Sequence, residues 1–113
     1  MIKIKRIPFS VPQIMSKLYN RQKFQTIRGL MIPRCLIGEI VEIYDKPCDF
    51  VIYNGKVTMI YPKQVKSLTH EEAIRDGFSH ASECKHEIMR INGLKSIENW
   101  VFVIRWHEIV LNK

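Results

Sequence analysis

The chain has 113 residues, of which 46% are hydrophobic, and its formal net charge is +7. That length suits a single domain over residues 1–113, which can bury a core without a metal ion or a disulfide staple. The three cysteines are widely spaced and form no Cys-x-x-Cys pair, which argues against a disulfide framework and a zinc ribbon. The basic N-terminus is interrupted by Pro8 and Pro12 and does not resemble a signal peptide, so we expect a cytoplasmic protein.

The positive charge is concentrated in the first third of the chain. Residues 1–38 carry a charge of +8 and no acidic residue, whereas residues 39–113 hold ten basic and eleven acidic residues and carry −1. A one-sided positive field attracts polyanions, and we expect nucleic acid rather than a membrane; the alternative is a basic surface that only aids solubility. The eight cations are Lys3, Lys5, Arg6, Lys17, Arg21, Lys23, Arg28 and Arg34.

The first half of the chain predicts one short helix followed by strands. Ser10 and Gln13 form a capping box, and apolar residues then recur at helical spacing up to Tyr19. The segments 24–28 and 36–45 are typical of strands. The Asn-Gly pair at residues 54 and 55, between two β-prone runs, predicts a hairpin.

Two short helices and a long strand are predicted in the second half. Thr69 and Glu72 form another capping box, and Gly77 occupies the position of a left-handed C-terminal cap. Ser79 is a candidate N-cap for the next helix, which should end at residues 92 and 93, Asn-Gly. Residues 100–111 are apolar on both faces, as in a strand covered on two sides. The order of elements predicts an α+β fold, a small mixed β-barrel or curled sheet with helices at its ends.

Four short motifs follow one another along the chain: QKFQTIR (22–28), Gly-Glu (38–39), Asp-Gly-Phe (76–78) and the final WVFVIRW strand. In this order and spacing they resemble the ASCH domain, a branch of the PUA-like superfamily. This resemblance covers residues 9–111. It implies a PUA-like pseudo-barrel that binds RNA across a cleft between the barrel and its helices. Some members of that family are small amidohydrolases that remove the acetyl group of N4-acetylcytidine, and a few are linked to ribonuclease activity.

The same resemblance implies a catalytic arrangement. Lys23 and Thr26 match the amidohydrolase positions for base and nucleophile, and Asp76 falls where those enzymes have a carboxylate. The family usually has glutamate at that late position and smaller residues near the lysine than Phe24. Because residues three apart point to opposite faces of a strand, Lys23 must precede the strand or lie at a bulge if it faces the same cleft as Thr26.

A binding role needs only positioned cations, because phosphate contacts supply most sequence-independent affinity for nucleic acid. The predicted binding residues are Lys17, Arg21, Lys23, Phe24, Arg28 and Arg34, with Phe24 as a platform on which a base stacks. A purely structural alternative has an Arg28–Asp76 ion pair that ties strand to helix, with Lys23 pointing to water.

The leading hypothesis is therefore a cytoplasmic domain that binds RNA or single-stranded nucleic acid through these residues. The rivals are an amidohydrolase acting on an acylated nucleoside and a basic regulatory protein that docks an acidic protein partner. His80 and Cys84 have the spacing of two metal ligands and His86 is close by. No second cluster completes a site unless His70 or His107 folds over them, so we expect no metal and no cofactor. Arg105 and His107 either extend the cleft or edge the barrel.

Overall fold

A computed structural model describes residues 4–29 and 35–111 of the chain. Its elements form one mixed five-stranded sheet that curls into a half-barrel, with three short α-helices, so the predicted α+β class, a curled mixed sheet with short helices, is confirmed. No helix in these ranges is long and apolar enough to cross a membrane. The elements are β1 (Lys5–Phe9), α1 (Pro12–Tyr19), β2 (Gln25–Arg28), β3 (Ile40–Asp45), β4 (Phe50–Gln64), a 3₁₀ turn (Val65–Ser67), α2 (His70–Arg75), α3 (Ala81–Asn92) and β5 (Trp100–Ile109).

The strand order across the sheet is β1-β3-β4-β5-β2. Only the β1–β3 pair is parallel, and the other three pairs are antiparallel. Strand β1 is absent from the sequence prediction, because Pro8 interrupts its apolar pattern. An edge strand tolerates proline, since one row of its backbone N–H groups has no partner strand.

The predicted hairpin at Asn54-Gly55 is wrong. β4 runs without a turn from Phe50 to Gln64, pairing with β3 along its first half and with β5 along most of its length. Gly55 does not adopt a positive φ, as the predicted hairpin turn would require. It is needed instead because a Cβ there would lie 2.8 Å from Cδ1 of Trp106, so the glycine admits the indole ring.

Two apolar clusters lie on the two sides of the sheet, and β5 contributes to both. Ile104 and Trp106 face the inside of the curled sheet, whereas Val101 and Val103 face the helices. The prediction that this strand is covered on both faces is thereby confirmed. The inner cluster also includes Ile7, Phe9, Leu18, Val41, Ile43, Tyr53 and Val57. The outer cluster, beneath α2 and α3, includes Ile27, Val65, Leu68, Ala73, Cys84 and Ile88.

The ends of α2 and the end of α3 follow the sequence prediction. Thr69 and Glu72 make a reciprocal capping box, in which each side chain binds the other residue's backbone N–H. Gly77, just beyond α2, has φ +100°, and Gly93, which ends α3, has φ +63°. Both are left-handed conformations that glycine adopts without a Cβ penalty.

The two serine caps predicted for α1 and α3 are wrong. Each helix starts one residue later than the prediction requires, so the N-cap residues are Val11 and His80, and neither side chain makes a capping hydrogen bond. Pro12 accounts for the start of α1, because a residue without a backbone N–H fits the first helical position. Ser79 instead donates its backbone N–H to Glu83, at 3.3 Å.

Candidate functional site

Lys23, Thr26, Arg28 and Asp76 line one cavity of about 160 Å³ between β2 and the helices, called the inner cavity below. Thr26 and Arg28 share a face of β2 because they are two residues apart. Lys23 lies in the irregular segment between the turn at residues 20–21, where Arg21 takes φ +57°, and the strand, so its side chain is free of the strand's alternation. Asp76 is the C-cap of α2. Lys23 thus precedes the strand, which is one of the two positions that would let it face the same cleft as Thr26.

Lys23 and Asp76 form a buried ion pair. The lysine is 1% exposed, and its Nζ lies 3.2 Å from Asp76 Oδ1 and donates to the Asp76 backbone carbonyl at 2.7 Å. Burial lowers the pKa of Lys23, while the Asp76 charge opposes that shift. Burial raises the pKa of Asp76, and the Lys23 charge opposes it in turn. The structural alternative of a solvent-facing Lys23 is therefore wrong, and Asp76 pairs with Lys23 rather than with Arg28.

Arg28 makes its contacts with uncharged groups. Its Nε donates to Thr26 Oγ1 at 2.9 Å and its Nη2 donates to the Pro8 carbonyl at 2.7 Å, which links the two edge strands. The guanidinium carbon lies 4.8 Å from the centre of the Phe9 ring. Burial lowers the pKa of Arg28, and the nearby charge of Asp76 opposes this. In this arrangement Thr26 accepts from Arg28, and no hydrogen bond joins its hydroxyl to Lys23.

An outer cavity of about 300 Å³ adjoins the inner one. The two share Asp76 and Phe78 among their lining residues, and together they form what we call the cleft. Lys17 lines the outer cavity and donates from Nζ to the Gly77 carbonyl at 2.8 Å. The outer cavity is also lined by Glu83, Glu87 and Arg90, so both signs of charge occur there.

Three of the predicted binding residues do not lie on the cleft or cannot be placed there. Arg21 pairs with Glu108 at 3.2 Å, and its guanidinium lies 4.7 Å from the Tyr53 ring centre. Phe24 packs its ring 6.1 Å from that of Tyr53, and it lines neither cavity. Arg34 lies outside the described residues.

Most of the N-terminal cations in the described ranges pair with acidic residues from the rest of the chain. Within residues 4–29 and 35–111, four of them form ion pairs, and Lys17 and Arg28 are the two that form none. Both of these two line the cleft. The four pairs, with their shortest nitrogen–oxygen distances, are Lys5–Glu39 at 3.1 Å, Arg6–Glu42 at 2.7 Å, Arg21–Glu108 at 3.2 Å and Lys23–Asp76 at 3.2 Å.

The sequence did not point to Gln25, which is 1% exposed and reaches the ion pair from the sheet. Its Nε2 donates to the Glu72 carbonyl at 2.9 Å and to Asp76 Oδ1 at 3.4 Å. A glutamine between two motif residues carries no pattern of its own, so only the fold reveals this contact. Cys84 is fully buried in the outer cluster, as predicted, and burial raises the pKa of its thiol to about 12. Among the described residues no group of three or more metal-ligating side chains is close enough to hold a metal ion.

The sequence matches no family model and no curated protein. Solved structures do match the fold. An ASCH domain from Lactobacillus crispatus JV V101 is 7% identical with a TM-score of 0.71, over 94% of this chain and 79% of that one. A protein from Enterococcus faecalis V583, described under the family name DUF984, is 9% identical with a TM-score of 0.74, over 96% and 82%. The ASCH protein of Zymomonas mobilis is 16% identical with a TM-score of 0.62, over 91% and 67%. The chain thus has the ASCH fold that its motifs predict.

Proposed function

We propose that this ASCH-fold chain binds single-stranded nucleic acid, RNA in the first instance, in the cleft between β2, α1 and α3. One observation carries the proposal. Of the N-terminal cations in the described ranges, the two that form no ion pair, Lys17 and Arg28, both line this cleft. A cation already paired with a carboxylate has less to gain from a phosphate, so these two are the groups best placed to attract one.

The inner cavity suits a base and the outer cavity suits the backbone beside it. The walls of the inner cavity are largely apolar, which favours the face of a ring, while Asp76 supplies a hydrogen-bond acceptor for the edge of that ring. Lys17, on the outer cavity, stands where a phosphate next to that base would pass. The apolar wall residues are Phe9, Ile27, Phe78, Ile88 and Ile91.

Binding should depend only moderately on salt, because two cations make the phosphate contacts. Each phosphate neutralised on a single strand contributes roughly −0.7 to the slope of log K against log salt, so two contacts predict a slope of about −1.4. Glu83 and Glu87 repel phosphates at the rim of the cleft and limit the number of contacts.

A titration of fluorescently labelled single-stranded RNA at several salt concentrations tests the proposal. Lys17→Gln should weaken binding several-fold and make the slope shallower by roughly 0.7. Lys56→Gln is the matched control, since it removes one lysine charge from an exposed site on β4 that is not part of the cleft lining. Absence of binding by the unaltered chain at low salt would rule the proposal out.

A second candidate is an amidohydrolase that acts on an acylated nucleoside. It is favoured by Lys23, whose pKa is lowered by burial and which lines the same cavity as Thr26. Neutral Lys23 would accept the Thr26 proton as the hydroxyl oxygen attacks the acyl carbon, and would pass it to the nucleoside amine as the carbon–nitrogen bond breaks. Water would then hydrolyse the resulting acyl ester of Thr26 and release the acetate. The initial attack requires Thr26 to turn from Arg28 toward Lys23.

Incubation with N4-acetylcytidine tests the second candidate. Thr26→Val removes the hydroxyl with little change of shape and should abolish release of acetate, whereas Thr58→Val, at an exposed position on β4, should not alter it. Turnover that survives Thr26→Val, or that the unaltered chain never shows, rejects the enzyme.

A further inference from the structure

Arg105 lies on β5 directly opposite Gln25 on β2, and it does not line the cleft. Its Nε donates to Gln25 Oε1 at 3.0 Å, and its Nη2 donates to the Tyr61 hydroxyl at 3.3 Å. The guanidinium carbon also lies 5.7 Å from the centre of the Tyr61 ring. Two hydrogen bonds and a ring contact therefore fix the orientation of this side chain.

The contacts of Gln25 allow one orientation of its amide group. Arg105 has only donors to offer, so the amide oxygen must face it. The Glu72 backbone carbonyl is only an acceptor, so the amide nitrogen must face that carbonyl. The second proton of the same nitrogen then points to Asp76 Oδ1, at 3.4 Å. The orientation set by Arg105 is thus transmitted to the carboxylate of Asp76.

The two oxygens of Asp76 have different surroundings. Oδ1 receives Lys23 and Gln25. Oδ2 makes no hydrogen bond among the described residues. Every polar side-chain atom there that is fully enclosed has a hydrogen-bond partner, so Oδ2 is not fully enclosed. It is therefore open to the cavity that Asp76 lines. Asp76 as a whole is 4% exposed. It is an acceptor held in place on one side and available to a ligand on the other.

We propose that Arg105 is a positioning residue for Asp76. Acting through Gln25, it keeps Oδ1 engaged and Oδ2 turned toward the cavity. The role in binding rests on the proposed function, whereas the effect on Asp76 itself does not. Arg105 thereby influences a cavity that it does not line. This role differs from both alternatives that its sequence position offered, extending the cleft and lying at the edge of the barrel.

The hydrogen bond from Gln25 favours the charged form of Asp76 and lowers its pKa, against the larger upward effect of burial. Lys23 and Arg28 act in the same downward direction, and the Cys84 thiol also lies near the carboxylate. Weakening the contact from Gln25 should therefore shift the titration of Asp76 upward while leaving these other groups in place.

The titration of Asp76 can be followed through the carbon-13 resonance of its carboxyl group in the full chain. Arg105→Met should raise the titration midpoint, and Gln25→Met should raise it as well. If Arg105 acts through Gln25, adding Arg105→Met to Gln25→Met has little further effect. Independent, additive shifts would show that Arg105 acts through its charge alone and would overturn the proposal, as would an unchanged midpoint in Arg105→Met.

A second measurement needs no variant, in case Arg105→Met does not fold. The side-chain amide protons of Gln25 should exchange slowly with solvent and should shift as Asp76 titrates; no response of that amide overturns the proposal. If Arg105→Met raises the titration midpoint of Asp76 and the unaltered chain does not bind RNA, the proposed function is rejected but the positioning role is supported.

Discussion

Two buried carboxylates at opposite ends of α2 differ in how many of their oxygens the protein occupies. Glu72 and Asp76 are each 4% exposed and lie one helical turn apart. Glu72 accepts from the Tyr61 hydroxyl, from Lys63 Nζ at 2.7 Å, and from the Thr69 backbone N–H at 2.8 Å and hydroxyl at 3.1 Å. Both of its oxygens are occupied by the protein. Asp76 has one oxygen occupied and the other open to a cavity.

The pKa shifts of the two groups point in opposite directions. Burial raises the pKa of Glu72, but the hydrogen bonds from Lys63, Tyr61 and Thr69 outweigh it and bring the pKa below its ordinary value of 4.5. Burial also raises the pKa of Asp76, and its partners do not offset it, so the pKa lies above 3.8. The two carboxylates are nearly equal in exposure, but Asp76 lies deeper in the protein and is less completely satisfied by its partners. Glu72 is committed to contacts within the fold, whereas Asp76 keeps one oxygen on which the proposed function depends.

The largest expected effect is that of Lys23→Met, which leaves Asp76 buried without its partner. The free energy of unfolding, measured by urea denaturation, should fall by about 3 kcal/mol. The double variant Lys23→Met/Asp76→Leu should recover most of that loss, since a buried ion pair can be replaced by apolar groups at little cost. A single variant as stable as the unaltered chain would show that Asp76 needs no counter-charge.

Glu72→Gln should lower the free energy of unfolding by about 2 kcal/mol, because it removes the charge that strengthens the contacts from Lys63 and Tyr61. RNA affinity per folded molecule should remain unchanged, since Glu72 does not line the cleft. Asp76→Asn should weaken RNA binding per folded molecule in a filter-binding assay, and it should also lower stability because it leaves the buried Lys23 without its counter-charge. If Glu72→Gln weakens RNA binding as much as Asp76→Asn does, the division between the two groups is wrong.

The dependence of stability on pH should separate the same two residues. Because folding lowers the pKa of Glu72, its contribution is fully present above pH 4.5 and is lost as the pH falls through the folded-state value. Asp76 has the opposite sign: its charged form costs stability, and that cost is relieved as the pH falls through the raised pKa toward 3.8. Urea denaturation between roughly pH 3 and 7 should show the unaltered chain losing its advantage over Glu72→Gln in acid while gaining relative to Asp76→Asn.

The sequence predicts local structure better than it predicts which charged side chains form ion pairs. The motif order was enough to expect the fold, and the need for Lys23 to precede β2 followed from strand geometry. The partner of Arg21 could not be inferred, because Glu108 is 87 residues away and only the pairing of β2 with β5 brings it close. The N-terminal charge appears unneutralised in the sequence for that reason.

The failed predictions have tertiary causes. Asn54-Gly55 is a strong local pattern for a turn, but the glycine is required by the approach of Trp106 from β5. β1 is recognisable only from its pairing with β3, in which Pro8 lies opposite Tyr44. Neither contact leaves a periodic pattern in the sequence, and the same is true of the role of Gln25 beside Asp76.

The smallest effect is expected at Thr69, which supports the Glu72 end of α2. Thr69→Ala removes the side chain that accepts from the Glu72 N–H at 3.2 Å, and it should lower the free energy of unfolding by about 1 kcal/mol. Ser79→Ala is a matched control, because this serine precedes α3 but its side chain makes no capping bond. Both variants should bind RNA like the unaltered chain. Equal losses of stability in the two would mean that the capping box contributes nothing beyond the removal of a hydroxyl, and that Glu72 is held mainly by Lys63 and Tyr61.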